Sequence, residues 1–185
     1  MPNFQDLLEP QIPRLRRYSR ALTRDTQRAD DLVQDTLVRA LMKQDRWEPG
    51  TNLRAWLFTL MHNQYVNNVR RANREAGTID IDDVSSSLVA TTDPTASRQL
   101  YELERALGQL AAEQREVILL VGLEGFSYED AAKILAVPVG TVRSRLSRGR
   151  ESLRRQFGIE EKIDPSLASQ DRPKGDQGTG AGAQL

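Results

Sequence analysis

Cysteine is absent from the 185 residues, so the chain has no disulfide, thiolate metal site or thiol nucleophile to offer. Its only histidine, His62, has no second ligand type beside it. Neither a metal centre nor a general base is expected there, and no cofactor is called for. No phosphate-cradling glycine loop or metal-ligand cluster occurs either, so the reading is that the chain is not an enzyme. No apolar run approaches the ~20 residues that a membrane span needs. The opening MPNFQDLLEPQIPRLRR lacks the charged start and apolar core of a signal peptide. The expectation is a cytoplasmic protein.

Net charge is missing too: 26 Lys and Arg offset 26 Asp and Glu. That balance hides a segregated distribution. Arginines gather at 14–28, 70–74 and 143–155, acids at 80–83, 102–104 and 160–164. Local fields rather than net charge steer a polyanion, so a nucleic-acid partner stays open.

The most informative stretch is FSYEDAAKILAVPVGTVRSRLSRGRESLRR, Phe126 to Arg155. Ser127 followed three residues later by Asp130 has the spacing of a capped helix start. Ala131, Ala132, Ile134 and Leu135 give that helix a small apolar face. Val137-Pro138 ends it, because proline lacks an amide donor and disfavours a helical residue before it. A second helix is expected to begin between Pro138 and Thr141 and to run to about Gln156. Val142, Leu146 and Leu153 face inward; Arg143, Ser144, Ser147, Arg148 and Arg150 are left outward. This is the layout of a helix-turn-helix, whose second helix reaches base edges in the major groove. Guanidinium forks suit guanine and phosphate alike.

Upstream, the pattern reads as helix almost throughout. Phe4, Leu7, Leu8, Leu15, Tyr18 and Leu22 open the chain, with a kink at Pro10 and Pro13. Ala29 to Lys43 forms a cleaner helix, with Leu32, Val33, Leu37, Ala40 and Leu41 as its apolar stripe and Asp30 and Asp31 in its first turn. Its exposed face carries Asp31, Gln34, Asp35 and Arg39, a composition suited to a basic protein partner. A Pro-Gly loop follows. From Leu53, a stripe of Leu53, Trp56, Leu57, Leu60, Met61 and Tyr65 predicts a long amphipathic helix. The opposite face presents His62, Asn63, Asn67, Arg70 and Arg71, amides and forks that fit single-stranded bases and their phosphates.

Between about Glu75 and Ser97 periodicity vanishes into an acidic, Ser/Thr-rich stretch that divides the chain into two helical domains. Helix returns from Gln99 to Gly122, with Leu103, Leu107 and Leu110 on one stripe and Val117 to Val121 in a buried second helix. Beyond Phe157 the Gly-, Pro- and Gln-rich tail is expected to be disordered.

Arranged in this order, three motifs resemble those of bacterial extracytoplasmic-function RNA polymerase sigma factors, over roughly Arg14 to Arg155. DDLVQDTLVRAL at 30–41 is similar to the polymerase-docking helix of region 2. PGTNLRAWLFTLMHNQYVNNVRR at 49–71 is similar to the promoter-melting segment, and 110–155 to region 4. The wording of AWLFTL, VPVGTVRSRLSRGR and Arg16–Asp25 looks most like the alphaproteobacterial general-stress-response subclass.

The resemblance implies an all-α fold of two small helical domains. A region 2-like domain would occupy 1–75, an extended acidic linker 76–97, a region 4-like domain 98–158 and a tail 159–185. Asp31, Gln34, Asp35 and Arg39 would face the β′ clamp of core RNA polymerase. The loop Glu48 to Asn52, with Asn63 and Asn67, would hold a flipped base of the −10 element, and Arg70 and Arg71 would bind nearby phosphates. Arg143, Ser144, Ser147 and Arg148 would face a GGAAC-like −35 element, although a large aromatic often stands where this chain has Ser147. Asp80, Asp82 and Asp83 would thread the RNA path of the polymerase. Further partners implied are the β flap, promoter DNA and a small anti-sigma protein. Two alternatives remain: a sigma-like decoy that binds an anti-sigma protein, and a self-sufficient helix-turn-helix regulator.

Overall fold

A computed structural model describes residues 3–76 and 94–158, with the side chains of 76 and 94–97 left aside. The acidic stretch with Asp80, Asp82 and Asp83, and the tail from 159, lie outside the described residues. All regular structure among those described is helical. The first module comprises α1 (Phe4–Leu8), α2 (Ile12–Thr23), α3 (Thr26–Met42) and α4 (Leu53–Ala76). The second comprises α5 (Pro94–Gly108), α6 (Ala112–Ile118), α7 (Tyr128–Leu135) and α8 (Val139–Gln156). Thus α5 starts inside the stretch expected to lack helix.

Local chemistry sets these boundaries. Pro10 and Pro13 fall at helix starts, where their missing amides cost nothing. Arg24 ends α2 in the left-handed region, φ 58°, and its amide closes on Arg20 O. Asp25 then caps α3, accepting the Arg28 amide at 2.8 Å. Because that cap precedes the expected start by several residues, Asp30 and Asp31 sit in the second turn rather than the first.

Leu15, Tyr18 and Leu22 of α2, Leu32, Val33 and Ala40 of α3, and Leu57, Phe58 and Met61 of α4 are buried together. Phe4 closes one end against Trp47 and Trp56, with ring centroids 5.6 and 6.2 Å away. In the second module Leu107, Leu110, Val117, Leu120, Ile134, Leu135, Val142 and Leu146 form the core. Leu103, expected on that stripe, is instead 42% exposed, because α5 meets the rest of its module chiefly through its C-terminal end.

The two modules dock against each other, and their cores are continuous. Tyr18, Phe58 and Phe126 stack edge to face across the seam, with centroids 4.9 and 5.1 Å apart. The Arg54 guanidinium lies 4.1 Å over the Phe126 ring. Buried Arg115 of α6 donates to Leu22 O across the seam at 3.2 Å, and to Leu107 O, Gly108 O and Leu110 O at 2.9–3.2 Å. After α6 the chain widens into a π turn, Leu119–Leu123, that delivers Glu124 and Phe126 to the seam. Glu124 there accepts from Arg17 of α2 at 2.7 Å. His62, expected on the nucleic-acid face of α4, is drawn into the same seam by Glu116 of α6, with Nδ1 2.5 Å from Oε1. Burial beside Glu116 and Glu124 pushes the Tyr18 hydroxyl well above its ordinary pKa, and burial beside Glu116 raises that of Tyr65.

Candidate nucleic-acid interface

The second module presents its arginines through the turn between α7 and α8. Ser127 caps α7 by accepting the Asp130 amide at 3.0 Å. Ala136 stops α7 in the left-handed region, φ 52°, and the Val137 amide closes on Ala132 O at 3.0 Å. Pro138 then supplies the carbonyl that receives the Thr141 and Val142 amides at 2.9 and 3.2 Å, so α8 begins at Val139 as expected. Val142 and Leu146 are buried and Leu153 packs beside them, which turns Arg143, Ser147, Arg148 and Arg150 to solvent.

In the free chain Arg148 folds back: Nε donates to Ser144 O and Nη2 to Ser144 Oγ, both at 3.3 Å. Ser144, half-buried, donates to Thr141 O at 3.0 Å. Arg143 rests 6.0 Å from the Tyr128 ring centroid. Arg145 points the other way and binds Glu113 of α6 at 3.0 Å. Gly149 lies flat on α6, where a Cβ would stand 2.6 Å from Ile118 Cδ1. α8 therefore sits tight against α6.

The first module carries a groove of about 690 Å³ between α3 and α4, lined by Arg39, Gln64, Asn67, Asn68, Arg70, Arg71, Asn73 and Arg74. Four guanidinium groups and several amides around an open cleft suit a strand's phosphates and base edges. Arg71 is held at the rim by Glu75 at 2.8 Å, a hydrogen bond that raises its pKa further. The floor is fixed by Gln64, whose Nε2 donates to Asp35 Oδ2 and to Asn68 Oδ1, each at 3.0 Å.

The structure thus brings together Asn67, Arg70 and Arg71, and adds Arg39, which the sequence placed on the docking face. Asn63 is exposed on α4 outside the lining. Asn52 is engaged as the cap of α4, accepting the Ala55 amide at 3.0 Å. Asp31, Gln34 and Asp35 are exposed on α3. On the same face stand two apolar side chains that the sequence reading passed over, Val38 at 55% and Met42 at 77% exposed. Their spacing, i+7 and i+11 from Asp31 and i+3 and i+7 from Asp35, was the available signal. The seam residues Arg54, Phe58, Arg115, Glu116 and Glu124 were also missed, since nothing local pairs residues more than fifty positions apart. Among the described residues no group of His, Asp and Glu could hold a metal, and no helix is long and apolar enough to cross a membrane.

A helical module with a basic cleft, joined on one chain to a helix-turn-helix, is the layout of a bacterial transcription-initiation factor. Comparison with known proteins narrows that class. A family model described as the Sigma2 domain of PhyR matches residues 8–62, and one described as Sigma-70, region 4 matches residues 100–153. The chain is 41% identical over 151 residues to the ECF RNA polymerase sigma factor EcfG of Rhodopseudomonas palustris, covering 82% of this chain and 83% of that one. It is 34% identical over 164 residues to the ECF sigma factor SigE of Mycolicibacterium smegmatis, covering 83% of this chain and 61% of that one. Among solved structures it resembles the sigma factor RpoE of Bartonella quintana in complex with the anti-sigma factor NepR, with a TM-score of 0.74 and 40% identity. That match covers 85% of this chain and 98% of the other. The chain belongs to the extracytoplasmic-function (ECF) family of RNA polymerase sigma factors.

Proposed function

We propose that this sigma factor binds core RNA polymerase and directs initiation at promoters of the general stress response, under the control of a small anti-sigma protein of the NepR kind. The observation that carries the reading is the pairing of two separate DNA-suited surfaces on one chain, the Arg-bearing α8 and the α3–α4 groove. Residues 1–75 dock on polymerase and hold the −10 strand; residues 98–158 read the −35 element; residues 76–97 connect them.

On this reading Arg143, Ser144, Ser147 and Arg148 address −35 bases and phosphates, Arg148 first releasing Ser144. Asn63, Asn67, Arg70 and Arg71 take the melted −10 strand, with Asn52 shaping the loop that borders it. Asp31, Gln34 and Asp35 meet the β′ clamp beside Val38 and Met42, whose exposed apolar surface gives the docking face a hydrophobic anchor. Arg39, at the junction of face and groove, serves either partner. The docked modules leave both DNA surfaces open, and on this reading the seam parts when two promoter elements are engaged at once. An anti-sigma protein that favours one arrangement of the modules would then control access to polymerase. The work is done alongside RNA polymerase in the cytoplasm, and no catalytic step is assigned to the chain.

A second reading, a decoy that only titrates an anti-sigma protein, draws on the match of residues 8–62 to the PhyR domain. In vitro transcription from a GGAAC-type promoter, with core polymerase plus and minus this protein, separates them. Protein-dependent initiation is the expected result. No initiation, with tight binding to a NepR-type protein, would establish the decoy.

A further inference from the structure

We propose that Gln64 is a specificity-determining residue of the α3–α4 groove. Its carbonyl accepts a hydrogen bond from the exocyclic amino group of a single-stranded base seated there, and Asp35 is the positioning residue that aims it. This rests on the reading of the groove as the site of the melted strand and names what that site discriminates.

Gln64 lines the groove and is only 7% exposed. The two groups facing its amide nitrogen, Asp35 Oδ2 and Asn68 Oδ1, are both acceptors at 3.0 Å. A carboxylate accepts only, so the NH2 end must face it and the carbonyl is turned away. That oxygen, Oε1, is buried and has no hydrogen-bond partner. A buried polar atom left unpaired is a standing cost, relieved when a donor arrives.

The arginines of the lining are donors only and suit phosphates. A base that brings its own donor completes the set. Cytosine N4 and adenine N6 are such exocyclic donors, whereas thymine and uracil present an acceptor, O4, at the corresponding position and donate only through the ring N3–H. In the free chain the oxygen is buried, and its pairing with a base requires that a strand whose phosphates draw the groove's arginines outward uncovers it. Asp35 matters because it locks the amide. Its Oδ2 lies across from α4 on the exposed face of α3, so the setting of a base-reading group is tied to the helix expected to dock on polymerase.

The test uses the full-length chain assembled with core polymerase, and fluorescent single-stranded 12-mers of deoxycytidine and of deoxyuridine. These carry equal charge and differ at the pairing edge. The wild type is expected to bind the cytidine strand about fivefold more tightly, the worth of one net hydrogen bond. Gln64→Met, similar in length and without an acceptor, is expected to lose that preference through weaker cytidine binding, with uridine binding unchanged. Asp35→Ala, added at a concentration that saturates core polymerase by native gel because Asp35 also lies on the docking face, frees the amide to rotate and offer NH2, and is expected to even the two strands by strengthening uridine. A purely structural role for Asp35 would not produce that gain. Equal wild-type binding of both strands overturns the proposal and leaves the groove reading standing, as does a preference that survives Gln64→Met in a variant whose thermal melt is unchanged. Binding of neither strand overturns both.

Discussion

Replacing Arg17 by Ala is expected to part the two modules without unfolding either. Arg17 reaches across the seam from α2, donating through Nε at 3.3 Å and Nη2 at 2.7 Å to Glu124 Oε1. The Glu124 side chain is fully buried while that of Arg17 is 52% exposed. The second carboxylate oxygen has no hydrogen bond, and Arg14 stands off at 4.0 Å. Removing one partner of a fully buried pair costs about 3–5 kcal/mol, because a charge is left without compensation. Half-exposure of the guanidinium discounts that figure to about 2 kcal/mol, roughly a thirtyfold shift of the docked–undocked balance. Opening rehydrates Glu124, so the seam absorbs the cost and the modules keep their own folds. The absence of cysteine makes the assay direct: dyes on Gln5→Cys and Gln156→Cys, exposed positions in the two modules, report their separation by energy transfer. Arg17→Ala should lower transfer markedly, and adding Glu124→Gln should restore part of it. Unchanged transfer in Arg17→Ala, or strictly additive effects in the double mutant, would refute the reasoning.

Tyr18→Phe should raise stability by up to about 1 kcal/mol in a denaturant melt, since the buried hydroxyl has no hydrogen-bond partner. The same site fixes a pH response. The folded Tyr18 pKa is raised, so its contribution is complete below about pH 10, the ordinary tyrosine value, and is lost as pH climbs toward the folded value. Tyrosinate absorbance and thermal melts along an alkaline series should show Tyr18→Phe losing stability less steeply. Ala136→Gly should stabilise by about 1 kcal/mol, because φ 52° strains any Cβ, and chemical denaturation measures it. Gly149→Ala should destabilise by about 1 kcal/mol net, overpacking against Ile118 outweighing the gain in helix propensity. Ile118→Val should recover much of that loss by removing the crowding methyl.

How much of this was legible beforehand depended on range. The turn from Ser127 to Val139 was readable because capping and proline chemistry act within a few residues. The groove was half readable: Asn67, Arg70 and Arg71 share a face by helical spacing, and Gln64, three residues before Asn67 and seven before Arg71, stands on that face too, whereas Arg39 enters only once α3 packs on α4. The seam was invisible. Periodicity puts His62 on the strand-binding face, and Glu116, 54 positions later, draws it into the seam instead. Phe58 fell outside the expected stripe because that stripe describes one buried face, and α4 is covered on two.

The short helix α6 works in both directions at once. Gln114 and Ile118 press on Gly149 of the reading helix, while Arg115 and Glu116, their immediate neighbours in sequence, grip Leu22 and His62 of the other module. Mechanically that is a lever with one arm behind the helix that reads the promoter and the other hooked over the seam. On the proposed reading, one turn of α6 backbone is all that separates the back of a groove-seated α8 from the contacts that keep the modules shut. A promoter bound at α8 and an inhibitor bound at the seam would, on that same reading, act on the same short helix from opposite sides.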